Sequence, residues 1–212
     1  MSPRRPAVLR ESGSDQTLRE HLIATAARLV AERGTADLTV REIARAGQVA
    51  DGVLYNHFDG KEELLALALS AHVHEVTAGA SEPPVAGQGT VEDNLRAFIE
   101  RGLTVLGRLV PVFAGLLGRP KVLTRFHGAG FQGGGGGFKA ALAAYLRAEQ
   151  ELGRIAPDAS PDAAAAMIMG ACHELILPRL FHPGPQQLTV PPGYAEGIVA
   201  TVMRGIAPPA DG

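Results

Sequence analysis

Residues 39–61 hold a cluster of side chains that can contact phosphates and base edges. Tyr55, Asn56 and His57 carry a phenol, an amide and an imidazole in successive positions, and Lys61 adds an ammonium group four residues later. Such groups donate hydrogen bonds to phosphate oxygens, and asparagine also pairs with adenine. The cluster predicts a nucleic-acid interface in which Tyr55, His57 and Lys61 clamp the backbone and Asn56 alone has a base preference.

Two short helices around a tight turn are predicted to position this cluster. Thr39 can cap a helix that begins at Val40, and Glu42 can reach back to complete a capping box. Gly47 is predicted to supply the permissive backbone that ends this helix. A second helix spans about residues 50–56, and its small residues suit close entry into a major groove. This arrangement is typical of a DNA-binding helix-turn-helix.

The next helix is predicted to place Lys61 where a phosphate can bind. Asp59 can cap it, with Glu62 three residues on, so that Lys61 lies in the first turn beside the free backbone amides. The predicted DNA-binding set is Thr39, Arg41, Ala50, Asp51, Gly52, Val53, Tyr55, Asn56, His57 and Lys61.

These motifs resemble the tetracycline-repressor (TetR) family. The matching residues are Ile43-Ala44, then Gly52-Val53-Leu54-Tyr55-Asn56-His57-Phe58, then Lys61-Glu62-Glu63-Leu64, and the resemblance covers about residues 17–69. The chain departs from the family pattern at Gln48, where a glycine is usual, and at Ala50, where a serine usually caps the reading helix. Asp51 adds a negative charge to that helix.

The resemblance implies an all-α fold with a three-helix DNA-binding domain followed by a helical ligand-binding and dimerisation domain. The periodicity of the rest of the chain agrees, since it predicts helices and no convincing strand. We expect a disordered tail over residues 1–14, the helix-turn-helix domain over 15–60 and the second domain over 61–212, with a helix at 61–79 connecting them. The Pro- and Gly-rich residues 81–89 are the predicted seam.

Helices at about 161–180 and 193–206 carry broad apolar faces. In the resembled family the last two helices pair with those of a second subunit, so a homodimer on a palindromic operator is expected. Burial of both faces within one protomer is the alternative. Between residues 90 and 152, helices are predicted to about 107, from 111 to 118, from 120 to 127 and from 138 to 152.

A small-molecule effector is implied by the resemblance. Aromatic and apolar residues of the second half could line its pocket, although each is more often ordinary core: Phe98, Leu106, Phe113, Phe126, Tyr145, Met169 and His173. The effector would be small and mostly apolar. The implied protein is a ligand-responsive regulator, a repressor by expectation, that leaves DNA when the effector binds.

The composition agrees with a protein of the reducing cytoplasm. The single cysteine, Cys172, excludes an internal disulfide, and no apolar stretch reaches the roughly 18 residues of a membrane span. The net charge is -2, and residues 1–61 carry nine Lys and Arg against eight Asp and Glu. DNA binding would therefore depend on a few placed phosphate contacts more than on a general basic field. No membrane partner is expected.

Other functions fit the sequence less well. The five glycines at 133–137 lack the Gly-Lys-Ser or Gly-Lys-Thr of a phosphate loop and predict a flexible loop, which could gate the ligand pocket with its flanking phenylalanines Phe126, Phe131 and Phe138. An all-helical enzyme or a metal-responsive regulator of the same fold would use the remaining histidines, whose spacing is poor: His72, His74, His127, His173 and His182. We expect no catalytic residue, metal site or cofactor.

Overall fold

The computed structural model describes residues 18–33, 38–128, 135–181 and 188–205. These residues form α-helices and one short 3-10 helix, with no strand among them, which confirms the all-α prediction. The helices are α1 Leu18–Arg33, α2 Val40–Ala46, α3 Asp51–Tyr55, α4 Lys61–Ala78, α5 Val91–Ala114, α6 Pro120–Gly128, α7 Gly135–Glu151, α8 Pro161–Ile176 and α9 Tyr194–Arg204, and the 3-10 helix is Leu177–Phe181.

The chain divides into two compact units. The first consists of Met1–Ala78 and Pro111–Phe131, and the second of Gly79–Val110 and Gln132–Gly212. In the first unit, α1 packs on α2 and α4, α2 packs on α3, and α4 packs on α6. In the second unit, α8 packs on α7, α9 and the 3-10 helix. The functional division at residues 14 and 60 stays a prediction.

Local capping signals place several helix starts where the sequence predicts them. At α2, the Glu42 amide donates to Thr39 Oγ1 at 3.2 Å and the Thr39 amide donates to Glu42 Oε2 at 2.8 Å, which completes the capping box. At α8, Ser160 Oγ accepts from the amide of Ala163 at 3.3 Å, and Pro161 follows at the first helical position. Both caps satisfy amides that have no partner within the helix.

The start of α4 differs from the predicted capping box. The helix begins at Lys61, as expected, but Glu63 replaces Glu62 as the residue that reaches back. Its Oε2 accepts from the Asp59 amide at 2.6 Å. Gly60 has a φ of 118°, a conformation that side chains rarely adopt, and this turn moves the reach-back position by one residue.

Helix α5 does not stop near Gly107. It runs to Ala114 with Pro111 inside it, so the prediction of a separate helix from 111 to 118 is wrong. A proline removes one backbone donor and costs about 3 kcal/mol in a helix interior. Buried Leu109 and Val112 flank Pro111, and their packing continues the helix through it. Residues 115–118 form turns.

The glycine run is partly helical. Residues 135–137 form the first turn of α7, so the prediction of a loop there is wrong. The first amides of a helix need no partner within it, which makes this turn tolerant of glycine, and Phe138 then anchors the helix against Phe98 with ring centroids 6.1 Å apart. Several other sequence predictions lie outside the described residues: the 1–14 tail, Phe131, residues 133–134, His182 and Ile206.

A buried acid ties the start of α5 to the end of α7 in the second unit. Glu149 is fully buried, and its carboxylate pairs with Arg154 at 3.3 Å and accepts from the Gly87 amide at 3.3 Å. Arg154 also donates to the Gly89 carbonyl at 2.5 Å. Because a buried charge is tolerated only when paired, this cluster holds residues 87–89 in place.

One segment is longer and more apolar than its sequence predicts. Pro161–Phe181 has 21 residues and a mean hydropathy of 1.3, which is enough by length and composition alone for a membrane span. Core helices of soluble proteins pass the same test, although only 28% of this window is buried. One face of α8 is core, with Ala165, Ile168 and Cys172 all fully buried. Residues on the opposite face, Ala163, Ala166, Met167 and Gly170, are exposed among the described residues.

Candidate nucleic-acid interface

The turn between α2 and α3 uses its glycine differently from the prediction. Gly47 has an ordinary helical φ of −79°, and the left-handed residue is Gln48, with a φ of 55°. Position 47 has room only for glycine, because a Cβ there would lie 2.9 Å from Leu22 Cδ2 and 3.3 Å from the Ile43 carbonyl oxygen. The prediction that Gly47 supplies backbone freedom is therefore wrong, and the reason is the close approach of α1.

Buried residues fix the two short helices against each other. Ile43, Ala44, Leu54 and Phe58 are all at most 5% exposed. The Val49 amide donates to the Ala44 carbonyl at 3.0 Å across the turn. Helix α3 has only five residues and no side-chain cap at Ala50, as expected from the missing serine. Packing must therefore supply most of its stability.

The predicted contact residues lie on the outer surface of this motif. Val53 and Lys61 are half-buried, and the remaining eight are exposed: Thr39, Arg41, Ala50, Asp51, Gly52, Tyr55, Asn56 and His57. Tyr55 is 65% exposed, which is high for a large aromatic side chain. A Cβ built on Gly52 would have no neighbour within 4 Å. The small size of Gly52 is thus not required by packing inside the described protein.

An unpredicted ion pair joins the two short helices. Arg41 Nε on α2 donates to Asp51 Oδ2 on α3 at 3.2 Å, and both side chains are exposed. The extra negative charge of Asp51 is therefore balanced within the motif. Thr39 lowers the pKa of Glu42 by hydrogen bonding, and the charges of Arg33 and Lys61 add to this effect, so Glu42 stays ionised as the partner of the cap.

Helix α1 supplies positioning residues that sequence reasoning missed. The Arg19 guanidinium lies 5.1 Å from the centroid of Phe58 and donates to Glu63 Oε1 at 3.0 Å. His21 Nε2 lies 3.3 Å from the Gly47 carbonyl oxygen. Arg19 thus connects α1 to the residues just before and after the start of α4. Charge and spacing along α1 gave no signal for this, because the partners are about forty residues away.

The predicted ligand-binding residues fall into two groups, one in each compact unit. In the second unit, Phe98, Leu106, Tyr145 and Met169 belong to one buried apolar cluster. Phe98 and Tyr145 have ring centroids 5.0 Å apart, and burial raises the pKa of Tyr145 well above its ordinary value. His173 lies half-buried on α8 outside that cluster.

Phe113 and Phe126 pack on each other in the first unit, with ring centroids 5.5 Å apart. Of the phenylalanines that flank the glycine run, Phe126 belongs to the first unit and Phe138 to the second. The predicted ligand-binding set is therefore divided between the two units. A surface cleft of about 430 Å³ also lies in the first unit, lined by Glu62 and residues of α6: Pro120, Lys121, Thr124 and Arg125.

The histidines do not assemble into a metal centre in the part of the chain that the structure describes. No group of three or more His, Cys, Asp or Glu side chains there could hold a metal ion. His72 is buried in α4 and His74 is exposed on the same helix, whereas His127 and His173 belong to different compact units. The geometry gives no support to a metal-responsive regulator.

The fold and the site define an all-helical protein with a helix-turn-helix in its amino-terminal part and a second helical unit. Residues 22–68 match the family model for bacterial regulatory proteins, tetR family. Over 47 residues the chain is 49% identical to the HTH-type transcriptional repressor KstR2 of Rhodococcus jostii strain RHA1. Over residues 22–68 the chain is therefore similar to the tetR family.

Solved structures extend the similarity in fold to most of the chain. The regulator FadR from Bacillus subtilis, in complex with stearoyl-CoA, has a TM-score of 0.61 and 19% identity, and the match covers 88% of this chain and 98% of that one. The TetR family transcription regulator SCO0332 gives 0.58 and 23%, covering 91% and 100%. The match to KstR2 spans only 22% of this chain and 23% of that repressor. These structural similarities show the fold and do not identify an effector.

Proposed function

We propose that the protein is a ligand-responsive transcriptional repressor of the cytoplasm. It binds a palindromic DNA operator as a homodimer and is released by a small, mostly apolar effector. The observation that carries this proposal is the exposed polar surface of α3 and its carboxyl end, with Tyr55, Asn56 and His57 outward while Leu54 and Phe58 are buried beneath. A helix-turn-helix reads DNA through such a surface.

Repression is proposed from the matched relatives. KstR2, which is 49% identical to this chain over 47 residues, is named an HTH-type transcriptional repressor. The slight positive balance of residues 1–61 supports binding through individual phosphate contacts, with affinity that falls as salt rises. Catalysis is not part of the proposal, because the matched proteins are named regulators.

The homodimer is proposed from the outer faces of α8 and α9. Small residues are exposed there, Ala163, Ala166 and Gly170 on α8 and Gly197 and Ala200 on α9. Two large apolar side chains are also exposed: Met167 on α8 is 57% exposed, and Phe181 at the end of the 3-10 helix is 83% exposed. Small residues allow helices to approach closely, and apolar patches of this kind mark interfaces. A second copy of the same surface would cover it with two-fold symmetry.

The effector is proposed to bind in the second unit. The aromatic and apolar side chains of Phe98, Leu106, Tyr145 and Met169 suit an apolar ligand, and the phenol is a polar group that can orient it. One neighbour in fold, FadR of Bacillus subtilis, was solved with stearoyl-CoA. We extend from it only the apolar character of the ligand.

Release from DNA is proposed to be a shift between two conformers. Two reading helices must be about one DNA turn, roughly 34 Å, apart to bind both half-sites. An effector that prefers a conformer with another spacing by ~100-fold lowers operator affinity by about 2.7 kcal/mol per site. Helix α4 begins at the predicted contact residue Lys61 and ends at Ala78, the last residue before the chain enters the second unit, so it is the element proposed to transmit the change.

The test is a binding titration against a randomised double-stranded DNA pool at several salt concentrations, with sequencing of the retained DNA. A recovered palindrome supports the proposal. Tyr55→Ala and Lys61→Ala should each weaken binding to all sequences by roughly 1 to 3 kcal/mol. Lys139→Ala, an exposed lysine on α7, is the control and should change nothing. Retention at background level by folded, effector-free protein would refute the proposal.

A further inference from the structure

We propose that Asp51 reads a cytosine in the major groove and that Arg41 orients and neutralises the Asp51 carboxylate while it does so. This inference rests on the proposed function and adds to it the base that the reading helix prefers. It assigns different tasks to two neighbouring charged residues, base choice to Asp51 and affinity to Arg41.

The exposure of the Arg41–Asp51 pair favours a role in binding a partner over a role in folding stability. Arg41 Nε and Asp51 Oδ2 are 3.2 Å apart, and the two side chains are 86% and 52% exposed. An ion pair so accessible to water contributes little to folding stability. The pair also lies on the surface that holds Tyr55 and Asn56, where DNA is proposed to bind. A functional role in DNA recognition accounts for this placement.

The first turn of α3 offers few side chains that can read a base. Recognition helices contact base edges with their amino-terminal residues. In this turn Gly52 has no side chain and Val53 is aliphatic, so Asp51 provides its hydrogen-bonding group. The open space around Gly52 allows the backbone to approach the DNA closely, which brings Asp51 within reach of the groove.

The chemistry of a carboxylate selects the base. An ionised carboxylate can only accept hydrogen bonds. The major groove offers donors at the amino groups of cytosine and adenine, but adenine places the N7 acceptor beside its amino group, where it would repel the carboxylate. Cytosine has no such acceptor beside its N4 amino group. Asp51 is therefore expected to prefer a G·C pair with cytosine on the contacted strand.

A lone carboxylate would be repelled by the phosphates that line the groove. Arg41 removes this obstacle because its guanidinium balances the charge of Asp51 within the protein. A guanidinium carries five N–H donors, so Arg41 can hold Asp51 and also face a phosphate. Loss of Asp51 would free Arg41 for phosphate alone, and loss of Arg41 would leave Asp51 uncompensated.

The experiment compares the bases that each variant selects from the randomised pool. Wild-type protein should enrich cytosine at one fixed position in each half-site, with discrimination of about tenfold per half-site. Asp51→Asn should change that position to adenine, because an amide can accept from the adenine amino group and donate to N7. Arg41→Ala should keep cytosine while weakening binding to all sequences.

The matched control removes a carboxylate from another exposed ion pair, Arg147–Asp162. Arg147 Nη2 and Asp162 Oδ2 are 2.7 Å apart in the second unit, so Asp162→Asn should leave both affinity and base choice unchanged. Circular dichroism checks that each variant is folded. If Asp51→Asn selects the same bases as the wild type, the inference is overturned and the proposed function stands. If the wild type selects no DNA, the proposed function is overturned and this inference with it.

Discussion

Gly47 and Leu22 are in such close approach that the turn of the helix-turn-helix has no room for a side chain at position 47. A Cβ there would lie 2.9 Å from Leu22 Cδ2, and Leu22 itself is fully buried in α1. The angle between α2 and α3 is therefore set against a third helix. Changes at this contact should disturb the DNA-binding surface without touching a residue that meets DNA.

Gly47→Ala should destabilise the first unit by about 1 to 3 kcal/mol, because the added methyl overpacks a filled core. Urea denaturation measures the change. Leu22→Ala alone should cost about 2 to 5 kcal/mol, and the double variant should cost less than the two single changes together, because the cavity accepts the methyl. If the stability losses of the two single variants add exactly in the double variant, the side chains at positions 22 and 47 do not compete for the same space.

Gly52→Ala should raise stability and lower DNA affinity. The methyl meets no atom within 4 Å, and alanine is favoured over glycine in a helix by up to about 1 kcal/mol. On DNA the same methyl would obstruct the close approach of α3. Thermal unfolding and the pool titration report the two effects separately. Unchanged affinity in a more stable variant would mean that Gly52 does not face the groove.

Arg19→Ala should weaken DNA binding although Arg19 is not assigned a DNA contact. Its contacts with Phe58 and Glu63 hold the turn before Lys61, and together they contribute about 1 to 2 kcal/mol to stability. Arg28→Ala is the control, since it removes a cation of the same helix that pairs with Glu32 at 3.0 Å. If both variants lose the same affinity, the cause is the lost positive charge and not a displaced turn before Lys61.

Gly170→Arg should convert a dimer to a monomer. A Cβ at Gly170 meets nothing within 4 Å in the described protein, so the arginine fits the single protomer and would obstruct only a partner. Light scattering after gel filtration measures the mass, and affinity for a palindrome should fall with it. Ala144→Arg, on the exposed side of α7, controls for the added charge. A dimer that persists in Gly170→Arg would place the interface elsewhere.

Cys172 should resist alkylation in the native protein. It is fully buried, and burial raises the pKa of its thiol to about 11 from an ordinary 9.0, so almost no reactive thiolate is present at pH 8. Because the folded pKa is the higher one, this group favours folding below pH 9 and that contribution is lost between pH 9 and about 11. Iodoacetamide labelling followed by mass spectrometry should modify urea-unfolded protein only. Rapid native labelling would show that α8 opens.

Local spacing determined the helix starts. Thr39 and Glu42 lie three residues apart, as do Ser160 and Ala163, and their hydrogen bonds need no distant partner. Tyr55, Asn56 and His57 are consecutive in the sequence and therefore lie on one short segment. Leu54 is buried beneath this segment, so the three polar side chains face outward. Such signals are legible because side chain and backbone meet within one helical turn.

Only the tertiary structure decided the rest. Gly47 is small because Leu22, twenty-five residues earlier, occupies its space, and Pro111 lies inside α5 because residues flanking it are buried. The Arg41–Asp51 pair exists because the turn brings α2 beside α3. Each outcome depends on which surfaces pack together, and packing energy between distant segments outweighs the local preferences that a sequence displays.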